Sequence, residues 1–348
     1  MGNIIAKDPD FWCSSEDPGP EGHNEDWMMR VSDSKFLSEL SIPGTHATMS
    51  YAYDGKVTGL FVSCQSWLLC IQLNMGIRFL DIRCQATRDD MLLNHGGYYL
   101  CKLTDTLTGC VNFLQTHPSE CVILRIAQEN SNLEGLDFRD ALKPFLEKFS
   151  SHIFKKRSMP TLGEARGKMI ILADYDIEDN DDMMKYGNMT HGKIIICENH
   201  KPGSFSQKLD GIKANIKKAS SAQRDKKEMY ITFTSYNHWL VDCPQETARR
   251  SNPTWHCLVR YRIGCLGIVV MDFPGYKVIR DIIDHNWDRP REIENPTAHR
   301  LVKYRGIIDD NFICHIEITP STNPTNALAF LSSDYPGFKE IRDSIDQI

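Results

Sequence analysis

Continuous apolar runs, rather than alternating apolar and polar positions, dominate the hydrophobic pattern of this chain. Such runs predict eight strands, at residues 36–42, 77–83, 91–94, 121–127, 168–173, 193–197, 229–234 and 266–272. A strand that is apolar at successive positions has both faces buried, which is typical of a parallel sheet covered by helices on each side. The pattern therefore indicates a parallel α/β architecture.

Apolar residues also recur at helical spacing between several of these runs. In the segment 104–117 the positions i, i+3, i+4 and i+7 are Leu107, Cys110, Val111 and Leu114. Further helices are predicted at 64–75, 138–149 and 207–219. Helices that follow parallel strands favour a closed β/α barrel. Because the pattern does not give every strand its own helix, we expect the barrel to be irregular.

The composition allows a large globular domain with an ample core. Of the 348 residues, 41% are hydrophobic and 25% are charged, which is ordinary for a globular protein. The formal net charge is −6, and the basic residues are not concentrated in one stretch. We therefore expect no nucleic-acid partner.

The cysteines and the chain ends give expectations about location. The 12 cysteines are scattered singly, with no C-x-x-C pair, which predicts reduced, buried thiols rather than disulfides or a zinc site. No secretory signal is visible, and no apolar run approaches the ~20 residues that span a bilayer. We expect a cytoplasmic protein that meets membranes peripherally. Gly2 offers a weak N-myristoylation signal, because Ala6 replaces the preferred Ser or Thr.

The pattern divides the chain into an irregular N-terminal arm, a barrel and a C-terminal extension, at residues 1–26, 27–287 and 288–348. The extension repeats the end of the barrel, because DFPGYKVIRD at 272–281 is echoed by DYPGFKEIRD at 334–343. One copy is expected to close the barrel and the other to pack outside it. The run before Asp272 is the more apolar, which favours Asp272 over Asp334 as the barrel residue.

Candidate chemistry is concentrated in the stretch RFLDIRCQATRDDMLLNHGG at residues 78–97. Its two short strands carry an acid, a guanidinium and an imidazole at their ends: Asp81, Arg83 and His95. The upstream segment LSIPGTH delivers a second imidazole at His46. Two histidines and an arginine are the minimum set for removing a proton from a hydroxyl, holding a phosphate and returning a proton to a leaving oxygen.

Four segments together resemble the X domain of phosphatidylinositol-specific phospholipase C, in its compact, metal-independent bacterial form. They are SIPGTHATMS at 41–50, FLDIRCQATRDDMLLNHGG at 79–97, HPSECVILRI at 117–126 and GEARGKMIIL at 163–172. The resemblance implies an irregular TIM-type barrel that acts on an inositol phospholipid at a membrane surface. In that family the inositol 2-hydroxyl attacks phosphorus, diacylglycerol leaves, and inositol 1,2-cyclic phosphate forms.

The resemblance also implies roles for individual residues. His46 matches the general base, Asp272 matches the carboxylate that orients it, and His95 matches the general acid. Arg83 matches the arginine that grips the phosphate, and Asp81 stands beside it as in the family. Because a guanidinium supplies the positive charge that calcium gives in metal-dependent relatives, neither a metal nor a cofactor is implied.

One departure concerns the acid histidine. Ala47 stands where the family has an aspartate that partners this histidine. Without a carboxylate there, His95 is expected to be protonated less readily, unless Asp89 or Asp90 substitutes.

A second departure concerns the lipid headgroup. Glu129 matches the family's glutamate, and Glu198 and His200 stand near its aspartate and tyrosine. Ala127 and Asp174 replace a lysine and an arginine. We expect the first three residues to bind the headgroup of phosphatidylinositol or of a glycosylated inositol lipid.

Two other classes of function are compatible with the residues. A catalytically weakened barrel that binds inositol phospholipid headgroups as an interaction module is suggested by Ala47. A glycerophosphodiesterase-type barrel is less favoured, because such barrels rely on clustered acidic metal ligands and no glutamate lies next to Asp81. Arg83 has a purely structural reading as an ion-pair partner of Asp81. Three tryptophans suit either a membrane interface or the core: Trp67, Trp239 and Trp255.

Overall fold

Strands and helices alternate through most of the chain. The computed structural model describes residues 23–53, 59–129, 137–178, 182–189, 192–199, 204–221, 225–236, 243–260, 264–287, 304–309 and 312–316. The strands are β1 (Ile42–Thr45), β2 (Phe79–Ala86), β3 (Met91–His95), β4 (Tyr98–Lys102), β5 (Val122–Gln128), β6 (Met169–Asp174), β7 (Met184–Lys185), β8 (Asn188–Met189), β9 (Gly192–Cys197), β10 (Glu228–Phe233), β11 (Ile268–Met271), β12 (Tyr304–Asp309) and β13 (Phe312–Ile316). The helices are α1 (Gly59–Val62), α2 (Leu69–Asn74), α3 (Leu103–Thr116), α4 (Phe138–Lys148), α5 (Leu162–Ala165), α6 (Phe205–Ala219), α7 (Pro244–Arg260) and α8 (Tyr276–Asp284).

A curled sheet forms the centre of the molecule. Its strand order is β7-β6-β5-β2-β1-β11-β10-β9-β8, and neighbours are parallel except for β8 and β9. Its two edges meet at residues 184–189, where Tyr186 N–H donates to the Ala173 carbonyl of β6 (2.8 Å) and Ile194 N–H of β9 donates to the Gly187 carbonyl (2.9 Å). The predicted α/β fold, an irregular TIM-type barrel, is confirmed.

Six of the predicted strands are confirmed in the barrel, with ends shifted by up to three residues: β2, β5, β6, β9, β10 and β11. The strand prediction for 36–42 was wrong, because Leu37–Glu39 form a 3-10 turn and pairing with β11 begins only at Ile42. The segment 91–94 is a strand, β3, but it lies outside the barrel and pairs antiparallel with the end of β2. The two-residue strand β7 occupies a barrel position instead.

The helix predictions at 104–117, 138–149 and 207–219 are confirmed as α3, α4 and α6. The prediction at 64–75 holds for its second half, which forms α2. Helix α7 was not predicted, because Pro253 and the polar stretch before it suggest a break rather than a helix of 17 residues.

Close contact between β1 and β2 requires Gly44. A Cβ added to Gly44 would lie 2.9 Å from the Cβ of Phe79 on β2. Glycine therefore lets the two strands pair, and His46 follows directly on the end of β1.

The N-terminal end of the barrel is sealed by a buried ion pair. Arg78 Nη2 lies 2.9 Å from Glu120 Oε2, and both side chains are fully buried. The guanidinium of Arg78 also donates to the carbonyls of Leu73 and Glu25, each at 2.6 Å. The charge of Arg78 is balanced and its donors have partners, so we infer that this ion pair has a structural role.

Beyond residue 287 the structure describes only the antiparallel hairpin of β12 and β13. Gly2, most of the predicted arm and the repeat at 334–343 lie outside the described residues, so the division into three parts stays a prediction. Nine cysteines within the described ranges are free thiols: Cys64, Cys70, Cys84, Cys101, Cys110, Cys121, Cys197, Cys243 and Cys265. Cys64, Cys84, Cys110 and Cys121 are buried as expected, whereas Cys197 and Cys265 are half-buried and Cys70 is exposed, so the prediction of buried thiols holds only in part. Among the described helices, none is long and apolar enough to cross a membrane.

Candidate active site

Strands β1 and β11 bring His46 and Asp272 together. Each residue follows the end of its strand, and the backbone N–H of His46 donates to the Met271 carbonyl at 3.0 Å. Nδ1 of His46 lies 2.8 Å from Oδ1 of Asp272, and both side chains are buried. A proton on Nδ1 shared with Asp272 leaves Nε2 with the lone pair that a general base needs.

Strand β2 places Asp81 and Arg83 on the same face, because they are two residues apart. Oδ2 of Asp81 accepts hydrogen bonds from Arg83 Nε (3.3 Å) and from the backbone N–H of Ala47 (3.1 Å). Burial raises the pKa of Asp81, but the positive charges of Arg83 and Arg125 outweigh burial and hold it well below its usual range. Nη2 of Arg83 lies 3.1 Å from Nε2 of His46, so the guanidinium stands beside the nitrogen that would take a proton.

A hairpin brings His95 to the same place. Strand β2 extends past the barrel and pairs antiparallel with β3, so the chain returns towards the barrel and ends at His95. The ring centroids of His95 and His46 are 5.4 Å apart, with the ring planes at 87°. The structure therefore brings together the two imidazoles, the guanidinium and the carboxylates that the sequence singled out.

The hydrogen-bond partner of His95 is a main-chain carbonyl. Nδ1 of His95 donates to the carbonyl of Val62 at 2.7 Å. Burial lowers the pKa of His95 to about 4, and the charges of His46 and Arg83 act in the same direction. The lowered pKa agrees with the expectation that this ring resists protonation.

Neither aspartate of the β2–β3 turn replaces the carboxylate missing at position 47. Asp90 is paired with Lys102 at 2.6 Å, and Asp89 is exposed. Ala47 itself has a left-handed backbone, with φ of 42°. Aspartate adopts this conformation more readily than alanine does.

Glu129 supports the turn that follows His95. Its Oε1 accepts a hydrogen bond from the backbone N–H of Gly96 (3.0 Å), and its own N–H donates to the Cys84 carbonyl of β2 (2.7 Å). Its expected contact with the headgroup stays a prediction, and His200 lies outside the described residues.

Arg125 of β5 is the ionic centre of the barrel mouth. Its Nη1 lies 3.1 Å from Asp81 Oδ1 and 3.1 Å from Glu198 Oε1, and its Nη2 lies 2.7 Å from Asp174 Oδ2. The guanidinium also stacks 4.5 Å over the ring of Tyr186. Asp174 thus pairs with a cation from the neighbouring strand, where the family pattern has an arginine at position 174.

Arg125 and Arg83 share two carboxylates. Asp81 contacts both guanidiniums, and Glu198 Oε1 lies 3.1 Å from Arg125 and 3.7 Å from Arg83. If Arg125 were removed, the electrostatic attraction of Asp81 and Glu198 would act on Arg83 alone.

The prediction of site residues missed Arg125 and Gln65. Arg125 interrupts the apolar run VILRIA, and a charge inside a buried strand signals buried partners. Nε2 of Gln65 donates to the carbonyls of His46 (2.8 Å) and Met271 (2.9 Å), which clamps the ends of β1 and β11 together. No pattern in the sequence marks Gln65 for this task.

The fold and the site define a β/α-barrel protein in which a buried histidine–aspartate pair lies beside a second histidine and a guanidinium. The family model of phosphatidylinositol-specific phospholipase C, X domain, matches residues 40–175 of this chain.

Several curated proteins are similar to this chain in sequence. The 1-phosphatidylinositol phosphodiesterase of Listeria monocytogenes is 28% identical over 279 residues, which is 75% of this chain and 84% of that protein. The Staphylococcus aureus (strain Newman) protein of the same name is 23% identical, over 75% of this chain and 94% of its own. PI-PLC X domain-containing protein 1 of Mus musculus is 26% identical, over 52% of this chain and 61% of its own.

Solved structures agree with the fold. Phosphatidylinositol-specific phospholipase C from Listeria monocytogenes superposes with a TM-score of 0.66 at 26% identity, covering 76% of this chain and 99% of its own. A Staphylococcus aureus phosphatidylinositol-specific phospholipase C gives a TM-score of 0.69 at 20% identity, covering 76% and 98%.

Proposed function

We propose that the protein is a phospholipase C that cleaves phosphatidylinositol, or a glycosylated inositol lipid, to diacylglycerol and inositol 1,2-cyclic phosphate. The observation that carries the proposal is the pairing of His46 with Asp272 at 2.8 Å, with Arg83 and the ring of His95 on its other side. The relatives named 1-phosphatidylinositol phosphodiesterase support the same substrate.

The geometry supports an acid–base mechanism. Nε2 of His46 takes the proton of the inositol 2-hydroxyl as that oxygen bonds to phosphorus, and Asp272 stabilises the resulting imidazolium. Arg83 leaves Nε2 of His46 and binds a phosphoryl oxygen, where it offsets the charge of the transition state. The bond from phosphorus to the glycerol oxygen breaks, and that oxygen takes a proton from His95.

The protonation of His95 is the demanding step. With a pKa of about 4, about one ring in a thousand carries the second proton at pH 7. A phosphodiester anion bound beside the ring favours the imidazolium and raises this pKa. The low pKa of the free enzyme is also the observation that favours the second candidate, a weakened barrel that binds inositol phospholipid headgroups.

Purified protein supplied with phosphatidylinositol vesicles and a chelator is expected to form a cyclic phosphate, followed by phosphorus NMR. A glycosylated inositol lipid tested in parallel separates the two proposed substrates. The chelator is expected to leave the rate unchanged, because Arg83 supplies the positive charge at phosphorus. Vesicle binding without turnover, unaffected by His95→Ala, would instead establish the binding module.

An Ala47→Asp variant is expected to raise the rate near neutral pH about tenfold, because a carboxylate near His95 raises its pKa by at least about one unit. The activity that needs protonated His95 falls as pH rises through its pKa, so this limb of the profile moves to higher pH. The measurement is kcat/KM across pH for both proteins. An unchanged profile would refute the argument that a missing partner limits His95.

We also propose which face of the protein meets the membrane. Exposed aromatic side chains flank the site: Phe61 is 57% exposed and Tyr99 is 53% exposed. Phe61 precedes Val62, whose carbonyl accepts the hydrogen bond from His95. Tyr99 lies on β4, the strand that comes after His95. Rings of this kind suit the headgroup layer of a bilayer. Trp67 and Trp255 belong instead to the core, because both are buried, and Trp239 lies outside the described residues.

A Phe61→Ser/Tyr99→Ser double variant is expected to bind phosphatidylinositol vesicles about tenfold more weakly, because two apolar rings no longer insert. Its rate on a water-soluble, short-chain phosphatidylinositol, which needs no vesicle surface, should match that of the parent protein. Vesicle sedimentation and both assays check this. Met29→Ser is the matched control, since Met29 is exposed at the opposite end of the barrel, beside the residue that contacts Glu120. Equal losses in the control and the double variant would contradict the assignment.

A further inference from the structure

A buried thiol lies beside the proposed base. Cys64 is fully buried; its S–H donates to the Val62 carbonyl at 3.8 Å, and its sulfur lies within 4.8 Å of a carboxylate oxygen of Asp272. Its backbone N–H donates to Ser50 Oγ (2.8 Å), and its carbonyl accepts from the backbone N–H of Phe273 (2.9 Å). The backbone therefore holds the sulfur at the end of β11, and the proposed mechanism gives this thiol no task.

Three ligand atoms of different chemistry converge there. A ring nitrogen of His46, the sulfur of Cys64 and a carboxylate oxygen of Asp272 all lie within 4.8 Å of one another, and all three residues are buried. Ligand atoms around a tetrahedral zinc ion are about 3.3–3.8 Å apart. Binding therefore needs a contraction of about 1 Å, and three protein ligands leave a fourth position for water.

We infer that His46, Cys64 and Asp272 bind a soft divalent cation of the Zn²⁺ class and that the bound ion reversibly inhibits the enzyme. The inferred metal binding does not depend on the proposed function, whereas the inferred inhibition rests on it. A thiolate, a carboxylate and a neutral imidazole balance the two charges of the ion, which favours it in a buried place. Asp81, 3.9 Å from Nε2 of His46, offsets the nearby positive charge of Arg83.

The bound ion inhibits because it changes which ring nitrogen of His46 carries the proton. In the metal-free protein Nδ1 carries the proton and Nε2 carries the lone pair. An ion bound at Nδ1 takes the lone pair there, and the ring proton moves to Nε2. The thiol proton of Cys64 goes to solvent. His46 then cannot accept the proton of the 2-hydroxyl, and its hydrogen bond to Asp272 is broken. Sulfur disfavours Mg²⁺ and Ca²⁺, so these ions are not expected to compete.

The test uses Co²⁺ as a spectroscopic probe of the reduced full-length protein. We expect a thiolate-to-cobalt charge-transfer band that saturates at one equivalent, that Zn²⁺ displaces and that a chelator removes. Cys64→Ser and Asp272→Asn should each lose or weaken this band, and thermal melting verifies that both variants fold. Cys70→Ser, at an exposed cysteine, should keep the band. A full band in folded Cys64→Ser, or its loss in Cys70→Ser, would overturn the site.

Inhibition is measured separately, as the Zn²⁺ concentration that halves each protein's own metal-free activity. Cys64→Ser should need at least about tenfold more Zn²⁺ than the parent and Cys70→Ser, as expected for the loss of one ligand. An equal need for Zn²⁺ in the parent and Cys64→Ser would refute inhibition through this site. A cobalt band in a protein without lipase activity would leave the metal site standing and reject the proposed function.

Discussion

Replacing His46 by alanine is expected to lower kcat/KM for cyclic-phosphate formation by about a thousandfold or more, because general bases contribute up to about 10⁴-fold. The variant removes the nitrogen that takes the proton of the 2-hydroxyl and leaves Asp272 without its partner at 2.8 Å. The measurement is the initial rate on phosphatidylinositol vesicles, with folding verified by thermal melting.

His152→Ala is the matched control for this experiment. His152 lies in a 3-10 turn after α4, where its ring contacts the neighbouring Ser151, so its loss should leave the rate unchanged. A His46→Ala protein that keeps a tenth of the parent rate would place the base elsewhere.

Replacing Arg125 by leucine is expected to cost about 3–5 kcal/mol of unfolding free energy, because the fully buried Asp81 and the half-buried Asp174 and Glu198 lose the cation that balances them. Asp81, Asp174 and Glu198 all contact this guanidinium. The rate should fall as well, since Asp81 and Glu198 then draw Arg83 away from the phosphate. Urea unfolding and kcat/KM report the two effects.

Arg139→Leu tests whether the loss is specific to the barrel mouth. Arg139 on α4 makes ion pairs with the exposed Glu178 and Asp140, and surface pairs of this kind contribute less than about 1 kcal/mol. If Arg125→Leu and Arg139→Leu lost equal unfolding free energy, the ion pairs of Arg125 would stabilise the protein no more than surface ion pairs do.

The barrel strands were predictable because a strand that is buried on both faces appears in the sequence as a continuous run of apolar residues. Strands β5 and β6 show it most clearly, since their positions are apolar almost without interruption and the structure buries them. The positions of His46 and His95 were predictable because each follows or ends a short apolar run, and their roles were expected from the resemblance of the surrounding motifs to the family.

Other features depend on tertiary context that short-range pattern does not encode. Strand β3 is as apolar as a barrel strand, and its antiparallel pairing follows from the short turn after Ala86. Strand β7 has two residues and no periodicity to detect. The Arg125 network depends on carboxylates from three other strands or strand ends, so its members are far apart in the chain.

The way the barrel closes separates two tasks within the molecule. The groups proposed for catalysis lie on or directly after β1, β2, β3 and β11, which backbone ladders hold in register. Asp174 and Glu198 lie instead at the ends of β6 and β9, which flank the segment 184–189, where the ladders to β7 and β8 are only two residues long. Because the proposed headgroup contact of Glu198 lies beside this segment, we expect residue exchange or insertion there to change headgroup selectivity while the reacting groups keep their spacing.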